Sequence, residues 1–169
     1  IALAEGLAAV HGAGLIHRDV KPSNVLITPS PQNQIHLCDF GIAKLQRPTE
    51  TFDRKLTQAG AILGTPEYMP LEALLAATET DQRMDVYALG IILYELLTGR
   101  PPFHAESSSA TLQQVISQEP VPPKRLNASI PRDLETICLK CLQKDPARRY
   151  AGAADLRDDV QRFLRNEPI

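Results

Sequence analysis

A chain of 169 residues is long enough for one domain with its own core. Hydrophobic residues make up 43% of it and charged residues 22%, an ordinary balance for a soluble globular protein. The formal net charge of −2 gives no basic field for nucleic acid or an anionic membrane surface, and no apolar run reaches the roughly 18 residues of a membrane span.

In chain order, Leu3, Leu7 and Val10 recur at helical spacing, which predicts a helix over 1–13 that Gly12 and Gly14 end. The first residue is Ile, already inside that pattern, so the segment reads as a piece of a longer protein. A dense polar stretch follows, from His17 to Asn24. Val25-Leu26-Ile27 and Ile35-His36-Leu37-Cys38 are short β-prone runs. The turn from Thr28 to Gln34 joins them, predicting a small hairpin. Residues 42–63 have no sustained period and read as a loop crowded with Thr, Asp, Lys and Arg between Thr51 and Thr57. A short helix is expected around 71–77.

Met84 to Leu97 is apolar on nearly every side, the mark of a buried helix, and Gly99 with Pro101-Pro102 stops it. Leu112, Val115 and Ile116 predict a helix near 108–118, and Pro120, Pro122 and Pro123 an extended connector. Pro131 suits the first turn of a helix reaching about Gln143. Leu156, Val160, Phe163 and Leu164 mark a last amphipathic helix, 152–165. There is no internal repeat. The expected class is mainly α, a helical bundle with one small β-hairpin, as a single domain over 1–169.

Cys138 and Cys141 have C-x-x-C spacing, which admits a metal or redox role. They also share one helix face with Leu134, Ile137 and Leu142, and no second Cys or His pair follows. Core packing is therefore the preferred reading, with Cys38 the third reduced thiol.

The stretch His17-Arg18-Asp19-Val20-Lys21-Pro22-Ser23-Asn24 is too polar for a core segment and too tightly patterned for an ordinary turn. It resembles the protein-kinase catalytic loop H-R-D-L-x-x-x-N, with Val20 in place of Leu. Asp39-Phe40-Gly41 begins fifteen residues after Asn24, similar to the companion Asp-Phe-Gly motif. The chain thus resembles the C-terminal lobe of a bacterial-type Ser/Thr protein kinase, with an activation segment over 39–72.

The resemblance implies roles at named positions. Asp19 corresponds to the catalytic base that accepts the substrate hydroxyl proton; taken alone, a loop Asp making a local turn bond is the blander reading. Lys21 corresponds to the cation against the γ-phosphate, and favours Ser/Thr over Tyr acceptors. Asn24 and Asp39 correspond to the ligands of Mg2+, with Mn2+ as a substitute, and Leu26 with Lys21, Asn24 and Asp39 to the ATP contacts. His17 and Phe40 are implied members of an internal packing column. His11, His36 and His104 match no motif and read as ordinary surface or packing residues.

Further along, Asp85 opens a run similar to the family's D-x-W-x-x-G, whose Asp accepts backbone N–H bonds from the catalytic loop. Glu72, in Pro70-Leu71-Glu72 where the family has Ala-Pro-Glu, is the implied partner of Arg149, with Arg148 the fallback. Arg18 implies a switch by phosphate on the activation segment, Thr57 being the first candidate and Thr49 and Thr51 weaker ones. Thr65 is the implied contact of Asp19 and Lys21.

The implied cofactors are ATP and Mg2+. The implied partners are protein substrates and the domain's own N-terminal lobe, with room for a homodimer that phosphorylates itself, and no nucleic acid or membrane contact within this segment. The implied compartment is the cytoplasm for the kinase domain, with a membrane anchor elsewhere in the parent chain left open. No Gly-rich phosphate loop is present: Gly6, Gly12 and Gly14 neither follow a strand nor open a helix. The alternative from another class is a pseudokinase or scaffold that binds proteins without phosphoryl transfer.

Overall fold

Helix α3 (Arg83–Thr98) is the axis around which the other elements pack. The computed structural model describes residues 1–29, 34–39, 66–74 and 81–169. The expected loop over 42–63, and with it Thr49, Thr51 and Thr57, lies outside those residues, as do Phe40 and Thr65. Along α3, every residue from Met84 to Ile92 is buried, as the all-round apolar pattern requires. Gly99 ends the helix with φ 76°, a left-handed conformation that glycine adopts without a Cβ penalty, and its amide donates to Glu95 O at 2.8 Å.

Around this axis stand α1 (Ala2–Gly12), α2 (Leu71–Leu74), α4 (Ser108–Ser117), the single turn α5 (Pro123–Leu126), α6 (Arg132–Cys141) and α7 (Ala153–Leu164). α6 packs on α3, α7 on α6, and α1 on α7, so the first and last helices share a wall. One cluster of Leu7, Val20, Val86, Leu89, Ile137, Cys141 and Leu156 joins all four. A second, of Leu74, Phe103, Leu112 and Val115, lies beneath α4. α4 opens on Ser107, whose Oγ accepts from Ala110 N at 3.2 Å.

The hairpin consists of β1 (Val25–Thr28) and β2 (Gln34–Leu37), antiparallel, with Val25 opposite Leu37 and Ile27 opposite Ile35. The whole is mainly helical with one small two-stranded sheet. Among the described residues, no helix is long and apolar enough to cross a membrane.

Residues 75–77 of the helix expected around 71–77 lie outside the described residues. One boundary differs from expectation. α6 begins at Arg132, with Pro131 as its cap residue, and ends at Cys141, short of Gln143. Beyond Cys141 the Gln143 amide turns to Lys140 O at 3.5 Å, while the Gln143 side chain takes the Leu139 carbonyl at 3.3 Å.

Cys138 and Cys141 are both fully buried on the face that α6 turns to α3, and burial pushes the Cys138 thiol up to about 12. Their packing is close: a Cβ added at Gly90 would fall 2.5 Å from Cys141 Cβ.

Candidate active site

The polar stretch after α1 is held by its few apolar and buried members. Val20 is 3% exposed and sits in the main core cluster, pinning the middle of the loop, while Pro22–Asn24 closes it as one turn of 3-10 helix. Asp19 and Lys21 remain partly exposed at the surface of this anchored segment. Lys21 Nζ lies 2.9 Å from Asp19 Oδ2. Asn24 Nδ2 donates to Asp19 O at 2.8 Å and to Asp19 Oδ2 at 3.1 Å. Both amide hydrogens of Asn24 are thus directed at Asp19, and its Oδ1 is the atom with acceptor capacity for a cation.

Asp85 is the support beneath this loop. It stands in the first turn of α3, where the helix dipole favours an acid, and it is 1% exposed. Its Oδ2 accepts from His17 N and its Oδ1 from Arg18 N, both at 2.8 Å. Those two bonds hold Arg18 at φ 66°, a left-handed backbone that costs a non-glycine residue on the order of 1–3 kcal/mol unless its surroundings impose it. A second carboxylate contact comes from His11, whose Nε2 lies 2.9 Å from Asp85 Oδ2.

His17 is fully buried and joins the loop to the strand that follows. Its Nδ1 accepts from Asp19 N at 3.3 Å, so Nε2 carries the proton and donates to Cys38 O at 3.1 Å. Cys38 N in turn donates to Asn24 O at 2.8 Å. These two contacts fix residue 38 against the loop and bring Asp39, exposed and at φ 57°, to its edge. Leu26 lies on β1 opposite His36, 56% exposed.

Glu72 and Arg149 meet as expected. Arg149 Nη2 donates to Glu72 Oε2 at 3.0 Å and Nη1 to Oε1. The remaining guanidinium N–H groups go to the carbonyls of Gln143, Arg83 and Lys144, and the cation lies 4.8 Å from the centroid of the Tyr87 ring. The altered Pro70-Leu71-Glu72 sequence therefore leaves the pair intact. Arg148 is exposed and takes no part in it.

His11 was passed over in the sequence because it matches no motif, yet its side chain is only 5% exposed and it touches Asp85. The available signal was positional: it stands in the last turn of α1, shortly before the polar loop. His36 and His104 are exposed. Phe40, Thr49, Thr51, Thr57 and Thr65 are the candidate residues that fall outside the described ones.

The loop, its buried acid and the Glu72–Arg149 pair can be set beside known proteins. A family model described as "Protein kinase domain" matches residues 1–160. The chain is 43% identical over 152 residues to the serine/threonine-protein kinase PknB of Mycolicibacterium smegmatis, which covers 90% of this chain and 23% of the relative. It is 40% identical over 158 residues to PknB of Mycobacterium tuberculosis, covering 94% and 24% respectively. Identity to the serine/threonine-protein kinase pkn3 of Myxococcus xanthus is 40% over 159 residues, 92% of this chain and 29% of that protein. The chain thus spans about a quarter of the length of the curated relatives it matches.

Proposed function

Because this chain belongs to the protein kinase domain family, we propose that it is the C-terminal lobe of a Ser/Thr protein kinase domain and carries that domain's phosphoryl-transfer loop. The observation that carries the proposal is the grouping of Asp19, Lys21 and Asn24 within hydrogen-bond distance of one another, on a loop whose backbone is held by buried Asp85.

Phosphoryl transfer asks a protein mainly to align the nucleophile and to neutralise phosphate charge. Asp19 accepts the proton of a Ser or Thr hydroxyl and points that oxygen at the phosphorus. Lys21, 2.9 Å from Asp19, sets a positive charge beside the same spot and lowers the cost of charge on the transferred group. Asn24 and Asp39 offer oxygen donors only, the set a hard divalent cation takes. Among the described residues no group of three or more His, Cys, Asp or Glu is gathered to hold a metal. A cation held by Asn24 and Asp39 would thus complete its shell with water and phosphate oxygens. Bound there, Mg2+ would neutralise the phosphates of ATP. The acceptors are protein Ser and Thr residues.

The rest of the nucleotide site belongs to an N-terminal lobe. Support comes from the apolar side chains left at the surface around the hairpin: Leu15, Leu26, Ile27 and Ile35 are 57%, 56%, 62% and 38% exposed.

The test is phosphate transfer by the full-length protein. Asp19→Asn is expected to lower turnover by about 10²- to 10⁴-fold while leaving the circular dichroism spectrum and Tm unchanged. Undiminished turnover would remove Asp19 from the chemistry.

A further inference from the structure

Helix α4 ends at Ser117, and Val115 O is one of the carbonyls that its last turn leaves without an intrahelical partner. Lys144 supplies one from beyond α6. Its Nζ donates to Val115 O and lies 4.1 Å from the centroid of the Phe103 ring. Val115 and Phe103 are both buried in the cluster beneath α4. A cation at this point also meets the negative end of the helix dipole. Lys144 thus closes the end of α4 and covers the face of Phe103 at once.

The seat has two acceptors, the carbonyl and the ring. An ammonium has three N–H groups, and among the described residues no carboxylate pairs with this one. A neutral amine has two N–H groups and a lone pair. It fills both contacts and keeps the lone pair for reaction. The side chain is half-buried, not sealed in, so a small reagent can reach it. Electrostatics point the same way. Burial lowers the ammonium from 10.5 to about 8, while Glu119 in the connector after α4 favours the charge and Arg149 opposes it. At about pH 7.5 such an amine is about a quarter neutral, against about one part in a thousand for an ordinary lysine. A desolvated lysine of this kind is an activated nucleophile.

We propose that Lys144 is a covalent modification site that takes the acyl group of a small acyl phosphate or acyl thioester, and that acylation releases the end of α4. The Nζ lone pair attacks the acyl carbonyl carbon and an amide C–N bond forms. The bond from that carbon to the phosphate oxygen or thioester sulfur breaks, and the leaving group takes the proton that the nitrogen sheds. The product has one N–H and no charge. Phe103 then loses its cation and the helix end its positive cap. None of this depends on the role proposed for Asp19.

The test exposes the full-length protein to acetyl phosphate and, separately, to acetyl-coenzyme A, and follows acetylation at each lysine by peptide mass spectrometry. The weaker base is also the weaker nucleophile, which returns part of the gain in free amine. Lys144 is therefore expected to react about tenfold faster than the exposed Lys124 and Lys140 near neutral pH, with a rate that levels off above about pH 9. In the acetylated protein, amide hydrogen exchange at Val115, Ile116 and Ser117 is expected to rise about tenfold, as for one lost hydrogen bond, with Val160 of α7 unchanged. Lys144→Arg keeps the charge without the reactive amine, and its exchange at α4 should not respond to either reagent.

Reaction at Lys144 with one donor alone supports the proposal and assigns the leaving group. Equal rates at the three lysines overturn it, as does a preference for Lys144 that survives in concentrated urea, since the seat would then play no part. Faster exchange at α4 in treated Lys144→Arg overturns the release of the helix, because its cause would lie at another lysine.

Discussion

Arg149 and Glu72, 77 residues apart, meet side by side, with the guanidinium fork on both carboxylate oxygens and every remaining N–H on a main-chain carbonyl. The Arg149 side chain is fully buried and that of Glu72 nearly so. Removing one partner leaves the other charge without compensation. Glu72→Ala is therefore expected to destabilise the fold by about 3–5 kcal/mol, measured by urea denaturation. Arg149→Lys is expected to cost nearly as much, because an ammonium cannot reproduce the fork or reach the same carbonyls. A loss below about 1 kcal/mol in either would mean the pair contributes no more than an exposed one.

Gly90 sets how near α6 approaches α3. A methyl group there would meet Cys141 Cβ at 2.5 Å and Leu142 Cδ2 at 3.0 Å. Gly90→Ala should cost about 1–3 kcal/mol in stability through overpacking. Since the nearer clash is with a Cβ, adding Cys141→Ala should not relieve it. Full rescue by that second change would show that the sulfur, not the backbone spacing, is what fills the gap.

Tyr87 is fully buried, and its hydroxyl has no hydrogen-bond partner among the described residues. An unsatisfied polar atom of that kind costs about 1–3 kcal/mol. Tyr87→Phe keeps the ring beneath Arg149 and deletes the orphan, so Tm should stay level or rise, against the usual direction for a core substitution. A clear fall in Tm would point to a bonded hydroxyl.

A buried thiol and a half-buried ammonium give opposite pH slopes. Burial raises the Cys138 thiol from 9.0 to about 12. Its stabilising contribution is full below the unfolded value and is lost as pH climbs from about 9 towards 12. Lys144 lies over the Phe103 ring and donates to Val115 O, and burial lowers its ammonium from 10.5 to about 8. The unfolded chain holds that proton longer, so Lys144 adds stability as pH rises from about 8 to 10.5. Denaturation midpoints across this range should fall less steeply in Cys138→Ala than in wild type, and Lys144→Met should lose the gain between 8 and 10.5. Parallel curves for all three proteins would contradict both assignments.

What could be read from residues alone follows the range of the forces involved. α3 was legible because its apolar pattern is unbroken and Gly99 ends it locally. Asp19, Lys21 and Asn24 were singled out through resemblance to a family motif, and a motif could carry them because their contacts lie within five residues of one another. The end of α6 falls two residues early because the Gln143 side chain takes the Leu139 carbonyl that its amide would need, a choice no spacing pattern announces. His11 was missed because its partners lie 74 and 142 residues away, and nothing in its neighbourhood announces them. The Glu72–Arg149 pair was anticipated through family resemblance, since no local pattern links two residues at that distance.

The wall shared by α1 and α7 also sets an order of events during synthesis. Ala4 and Leu7 pack in the same cluster as Ala153 and Leu156, so the earliest of these helices to leave the ribosome waits for the last before it can bury its apolar face. A nascent chain ending before α7 already holds every polar residue of the loop but not the surface that α1 must rest on. Non-local closure of this kind is slow relative to the making of single helices, and it leaves apolar surface for chaperones to hold in the interval. The support of the polar loop is thus completed only when the last helix of the segment has been made.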